Sequence, residues 1–202
     1  MKLQLPNVTL VAITGNGYKT AEHLKAIYDS MSKAKFADVK FVRVPTIKNI
    51  DDWNYSVIYD LPKSITTSHA LLIHADGYVK DPECWKDEWL EYDYIGSPWP
   101  LPKDDYSYRS ESGKIQRVGN SVSLRSKKLM DLIATVPKEE FWDIKHKYGN
   151  SNEDGFICVH KREWLEEQGI KFAPLEEAIH FGKEHEIPEN ININKTFVFH
   201  SL

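Results

Sequence analysis

The sequence predicts an α/β protein with a mostly parallel central sheet flanked by helices and a more irregular second half. Three observations carry this expectation. Residues 8–13 (VTLVAI) form an unbroken apolar run of the kind found in strands buried on both faces. An amphipathic stretch from about Thr20 to Met31 and a second strand at 39–44, closed by Pro45, follow at βαβ spacing, which argues for parallel pairing. A third apolar run, residues 70–73, stops at His74-Ala75-Asp76-Gly77. That places a carboxylate at the carboxyl end of a strand, the sheet edge where ligands bind in open α/β folds.

The remaining elements follow in order. The first strand ends in the turn Thr14-Gly15-Asn16-Gly17-Tyr18. Asp81-Pro82 opens a short helix through Trp89, with proline in its first turn. Residues 92–99 read as a strand entering a turn. From Pro100 to Ile115 the chain is polar and aperiodic, a loop of the length that usually carries function or lacks order. Residues 118–125 are strand-like, and Ser126 caps a helix to about Thr135. Asn152-Glu153-Asp154 starts another helix, with Phe156, Ile157, Val159 and Trp164 at helical spacing. Short strands at 170–173 and 196–199 complete the reading. There is no repeat, linker or low-complexity tract, so residues 1–202 are expected to form one domain. The regular part, about 1–99, suits a nucleotide, and about 100–202 suits an acceptor.

Composition excludes several classes. A chain of 202 residues, 41% hydrophobic and 28% charged, has the make-up of a soluble globular domain with a full core. Its net charge of -4 leaves no basic footprint for nucleic acid or an anionic membrane. Six Trp, ten Tyr and eight Phe are generous, and such rings serve both cores and sugar-stacking surfaces. Cys84 and Cys158 lack metal or redox spacing and are expected as reduced, buried thiols. The start MKLQLP has no apolar signal core and no run reaches membrane-spanning length, so a cytoplasmic protein is expected.

Candidate site residues have ordinary readings beside functional ones. Asp76-Gly77 is also a common turn pair, yet its strand-end position suits a divalent cation that in turn holds phosphate. His200, after the last strand, offers an imidazole that Mn²⁺ accepts more readily than Mg²⁺. Asp76, His200, two diphosphate oxygens and water would complete an octahedral site. His74 lies on the same strand face and is expected to pack in the core, or to support a ligand from behind. Ser151 or Asn152 with Glu153 and Asp154 reads as a helix start, and equally as a general base at a helix N-terminus. Ser97-Pro98-Trp99 and Gly119-Asn120-Ser121 are expected in a pocket wall, through stacking and hydroxyl recognition. Thr14, Gly15 and Tyr18, with Arg43 at the end of the second strand, are placed to seat a nucleoside. Neither GxGxxG nor GxxxxGK[ST] is present, so Rossmann and P-loop assignments fail.

Taken together, Ala75-Asp76-Gly77-Tyr78-Val79, Trp85, the string from Glu88 through Tyr92-Asp93-Tyr94-Ile95-Gly96-Ser97-Pro98-Trp99, Val118-Gly119-Asn120, Ser123-Leu124-Arg125-Ser126, Glu153-Asp154 and Phe172-Ala173-Pro174 resemble the DUF5672 group of glycosyltransferases. The order and spacing match over roughly residues 8–200. A further similarity is to the N-terminal glycosyltransferase domain of a large chlorovirus protein implicated in capsid glycan synthesis, which implies further domains of a longer polypeptide. The resemblance implies a GT-A-like fold and a UDP-linked sugar donor. It also implies a Mn²⁺ or Mg²⁺ ion, a glycan or glycoprotein acceptor, and transfer of a hexose or deoxyhexose. Asp76 and Gly77 then belong to the donor site, with Asp76 in the place of the last aspartate of a DxD motif. His74 replaces the first, so His200 gains importance as a metal ligand. Asp154 falls where inverting enzymes of this layout keep their base, and Trp99, Gly119, Asn120 and Glu153 fall on the acceptor side. Ser121-Val122 depart from the two glycines and aromatic that are usual after Gly119-Asn120. Two other classes stay open: a sugar-nucleotide nucleotidyltransferase and a non-catalytic carbohydrate-binding module.

Overall fold

A computed structural model describes residues 2–148 and 152–201. The strands are β1 (Leu3–Thr14), β2 (Ala34–Arg43), β3 (His69–Leu72), β4 (Gly77–Val79), β5 (Tyr94–Pro98), β6 (Val118–Ser126), β7 (Gly182–Lys183) and β8 (Val198–His200). The main sheet has the order β2-β1-β3-β6-β5. β1 pairs in parallel with β2 and β3, and β6 runs antiparallel to β3 and β5, so four of the five strands point the same way. The expected mixed, mostly parallel sheet is what forms, with β6 from the second half inserted between β3 and β5.

The apolar run of β1 makes it a central strand, because both of its faces are covered. Leu10 and Ala12 pack with Ala26 and Ile27 of α1 (Thr20–Lys33), while Val11 and Ile13 pack with Val57 of α2 (Ile50–Tyr59) and Met130 of α3 (Lys127–Ile133). Successive strand side chains alternate between these two layers. Leu71 and Ile73 join the first layer, and Ala70 and Leu72 the second. Pro6, which has no N–H for a ladder, falls where the β1–β2 register shifts between Leu5 and Thr9.

Several expected boundaries move. β2 begins at Ala34, directly after α1, well before the apolar signal at 39–44. β3 stops at Leu72, and the bend after it carries His74 and Asp76 to a bridge between His74 and Gly77. The expected helix from Asp81 to Trp89 is two 3₁₀ turns, Pro82–Cys84 and Asp87–Glu91. Residues 170–173 make only a single bridge, Tyr94 with Phe172. The helix from Asn152 is split into α5 (Glu153–Gly155), a π-helical turn (Phe156–His160) and α6 (Arg162–Glu167). Three helices gave no periodic signal: α2, α4 (Lys138–Tyr148) and α7 (Leu175–Phe181). The legible cue for α2 is its cap, since Asn49 Oδ1 accepts the Asp51 and Asp52 N–H groups at 2.9 and 3.0 Å. No helix among the described residues is long and apolar enough to cross a membrane.

A second, three-stranded sheet of order β4-β8-β7 matters most for the site. Antiparallel pairing of β4 with β8 sets Gly77 opposite His200, carrying the last strand back to the end of β3.

Close backbone packing joins β5 to β6. A Cβ on Gly96 would lie 1.8 Å from the Gly119 carbonyl oxygen. Gly96→Ala is therefore expected to cost about 1–3 kcal/mol in a urea titration, since the clash is with backbone that cannot swing away.

Candidate functional site

A cleft of about 890 Å³ opens at the carboxyl ends of β1 and β3. Thr14, Gly15 and Tyr18 line it from the β1–α1 turn, Trp53 and Asn54 from α2, and His74, Asp76 and His200 from the second-sheet edge. The turn is tied down by Thr14 Oγ1, which donates to the Tyr18 carbonyl at 2.9 Å. Trp53 Nε1 donates to the Ile13 carbonyl at 2.9 Å and sets its ring edge-on to His74 at 5.0 Å.

His74, Asp76 and His200 each offer one ligand atom, and these atoms all lie within 4.8 Å of one another. His200 Nε2 lies 3.6 Å from Asp76 Oδ1. The two imidazoles meet edge to face at 5.1 Å. His74 Nε2 is buried and has no hydrogen-bond partner, which leaves a ligand-competent nitrogen unexplained by packing. Burial, then the nearby His200 and other cationic groups, hold His74 well below its ordinary value, so it is a neutral imidazole. His74 thus packs against Trp53 and His200 and also lines the cleft. Behind His200, Glu184 Oε1 comes within 2.9 Å of Nδ1, close but out of line for a hydrogen bond. Carboxylates in that position commonly orient metal-binding histidines. Two imidazoles and one carboxylate make a mixed N/O set that could hold a divalent transition-metal ion, Mn²⁺ among them, with coordination positions left for a ligand.

Asp154 sits beside the cleft, not in its lining; the cleft reaches its neighbours Asn152 and Ser121. Desolvation, then the adjoining charge of Glu153, push the Asp154 carboxyl up to about 7. Its Oδ1 accepts the Gly155 N–H at 2.8 Å. Glu153 is fully buried and meets Arg125 at 2.6 Å, with Ser121 Oγ at 3.1 Å and the Asp154 N–H at 2.6 Å on its other oxygen. No part of that carboxylate faces an acceptor, so Glu153 is a buried support. Nor does Asn152 cap its own helix. Asn54, from α2, does so instead: its Oδ1 accepts the Glu153 N–H at 3.1 Å, and its Nδ2 donates to Asn152 Oδ1 at 3.2 Å. Ser151 lies outside the described residues.

The other expected wall residues are turned inward. Trp99 is 5% exposed and stacks on Tyr108 at 4.8 Å, and a Cβ on Gly119 would lie 2.0 Å from its ring. Asn120 adopts φ 79° and closes on its own strand: Oδ1 accepts the Val122 N–H, and its carbonyl accepts the Tyr94 hydroxyl at 2.5 Å. Trp99, Gly119 and Asn120 thus shape the β5–β6 core and leave no stacking face for an acceptor. Gly77 is buried too; a Cβ there would meet Val122 at 2.4 Å and the His200 ring at 3.0 Å, so this glycine permits the β4–β8 approach. Arg43 stays outside the lining and reaches the rim only through Asn16, donating to its Oδ1 at 3.2 Å. Ser121, expected in a pocket wall, does line the cleft, whereas Lys19, Trp53, Asn54 and Glu184 gave no signal of their own in the sequence, because their positions depend on contacts between distant segments.

The fold is similar to that of a solved glycosyltransferase. It aligns with the crystal structure of a glycosyltransferase involved in the glycosylation of the major capsid of PBCV-1, over 96% of this chain and 91% of that one, with a TM-score of 0.56 and 8% identity. A second similar structure is the apo-form glycosyltransferase GlyE of Streptococcus pneumoniae TIGR4, covering 99% of this chain and 54% of that one, with a TM-score of 0.47 and 11% identity. No curated protein sequence matches the chain. The chain belongs to the family described as "Protein of unknown function (DUF5672)", which matches residues 41–200.

Proposed function

We propose that this chain is a metal-assisted glycosyltransferase of GT-A type that moves a sugar from a UDP-linked donor to a glycan hydroxyl with inversion. The observation that carries this reading is the meeting of His74, Asp76 and His200 at the edge of a cleft large enough for a nucleotide-sugar. A divalent cation on these three side chains would neutralise charge on the departing nucleoside diphosphate. Thr14, Gly15 and Tyr18 seat the nucleoside beside them. Asp154, with its carboxyl near neutrality, takes the proton from the acceptor hydroxyl. The acceptor oxygen bonds to the anomeric carbon as that carbon's bond to the diphosphate breaks, and the electron pair leaves with the nucleotide.

A thermal-shift series with UDP-, GDP- and dTDP-sugars, each with and without Mn²⁺, tests this reading. UDP-sugar with Mn²⁺ is expected to raise the melting point by about 5–10 °C at a hundred times its dissociation constant. Asp76→Ala is expected to abolish that rise at every Mn²⁺ concentration. Stabilisation by glycan alone, without metal, would instead mark a binding module. Release of pyrophosphate from a nucleoside triphosphate and a sugar phosphate would mark a nucleotidyltransferase.

A further inference from the structure

Lys19 has no part in the reading above, yet it stands at the same carboxylate. Its Nζ lies 3.9 Å from Asp76 Oδ2, and both side chains are 46% exposed. Its backbone is left-handed, φ 43° and ψ 37°, a conformation that a residue with a Cβ keeps only under constraint. The constraint is visible: the backbone N–H of His23 bonds to the Lys19 carbonyl at 2.9 Å, and His23 Nδ1 meets the same oxygen at 2.8 Å. The β1–α1 turn therefore holds Lys19 over the cleft, at the start of a helix with no side-chain cap. Beside it, Thr20 Oγ1 is buried without a hydrogen-bond partner.

We infer that Lys19 is an exchangeable counter-ion: it partners Asp76 when no metal is bound, and turns to the donor diphosphate once a divalent cation takes that carboxylate. The inference rests on the metal-and-donor reading above. A metal ion on Asp76 repels an ammonium at its present distance, and the flexible, half-exposed lysine stem can swing away at little cost. A diphosphate beside the metal then supplies the negative charge that Lys19 has lost, and the uncapped first turn of α1 favours the same anion. Metal and nucleotide each strengthen the other, and the coupling is reciprocal.

Calorimetric titration of wild type, Lys19→Met, Lys19→Arg and Asp76→Ala with Mn²⁺ alone, and then with UDP at saturating Mn²⁺, tests this. Lys19→Met is expected to bind Mn²⁺ alone about two- to fivefold more tightly, the size of an exposed ion pair. The same variant is expected to bind UDP about tenfold more weakly, as one charged contact is lost. Lys19→Arg is expected to keep wild-type UDP affinity. If Lys19→Met leaves either affinity unchanged, or shifts both in the same direction, the exchange is overturned while the metal reading stands. If wild type takes up no Mn²⁺, or Asp76→Ala takes it up equally well, the metal reading itself falls.

Discussion

Asp154→Asn is expected to lower turnover by about 10²–10⁴-fold while UDP and Mn²⁺ still bind, because asparagine keeps the Gly155 N–H contact but accepts no proton. Wild-type turnover is expected to rise with pH through about 7, where the carboxyl deprotonates, and the variant to lose that limb. Stability carries the opposite sign. The Asp154 carboxyl is raised from 3.8 to about 7 on folding, so between those values the folded chain holds a proton that the unfolded chain releases. Stability therefore falls as pH rises across that window and is flat above it. Asp154→Asn removes this penalty: its melting-point gain over wild type is expected to be smallest at pH 4 and greatest above pH 7. A variant with wild-type turnover at pH 8 would remove Asp154 from the proton transfer.

Glu153→Gln is expected to destabilise the protein by about 3–5 kcal/mol, because it leaves the Arg125 guanidinium buried without its counter-charge. At this chain length that corresponds to a fall of about 6–20 °C in melting point. Arg125 is held further by the Ser123 hydroxyl at 2.8 Å and lies 5.3 Å from the Tyr94 ring centroid, so it cannot leave for water without disrupting β6. Replacing both partners together, Arg125→Met with Glu153→Leu, is expected to recover most of the lost stability, since no charge is then stranded. The pH limb of turnover is expected to move to lower pH in Glu153→Gln, as desolvation still raises Asp154 but the nearest charge that adds to it is gone while Arg125 still lowers it. An unchanged limb would separate Glu153 from the tuning of Asp154.

Where a signal was local, it was legible. The apolar run of β1 alone implies a strand covered on both faces, and Ser126 predicts the start of α3, where its hydroxyl accepts the Leu129 N–H at 2.9 Å. Asp76 and His200 were readable as strand-end residues because each follows an apolar run, and pairing of β4 with β8 brings them within 3.6 Å. Elements set by tertiary burial were not legible. α2 (IDDWNYSVIY) is rich in β-branched and aromatic residues, and is helical because Val57 and Ile58 are buried in the layers beneath it. Trp99, Gly119 and Asn120 of the expected wall lie outside the cleft lining for the same reason, while Ser121 reaches it: glycine, asparagine and tryptophan look alike whether they approach a sugar or each other.

Sequence alone determined the sheet's central strand, the carboxylate just past the end of the third strand and the histidine that follows the last one. Only the tertiary structure decided that His74 lies within 4.8 Å of Asp76 and His200 and that Glu153 is buried against Arg125. It also decided that the cap of the helix bearing Asp154 comes from Asn54, 99 residues away from the N–H it binds. Local patterns record which face of a strand or helix must leave water. The partner waiting on that face is chosen by the packing of distant segments, and no single segment carries that information.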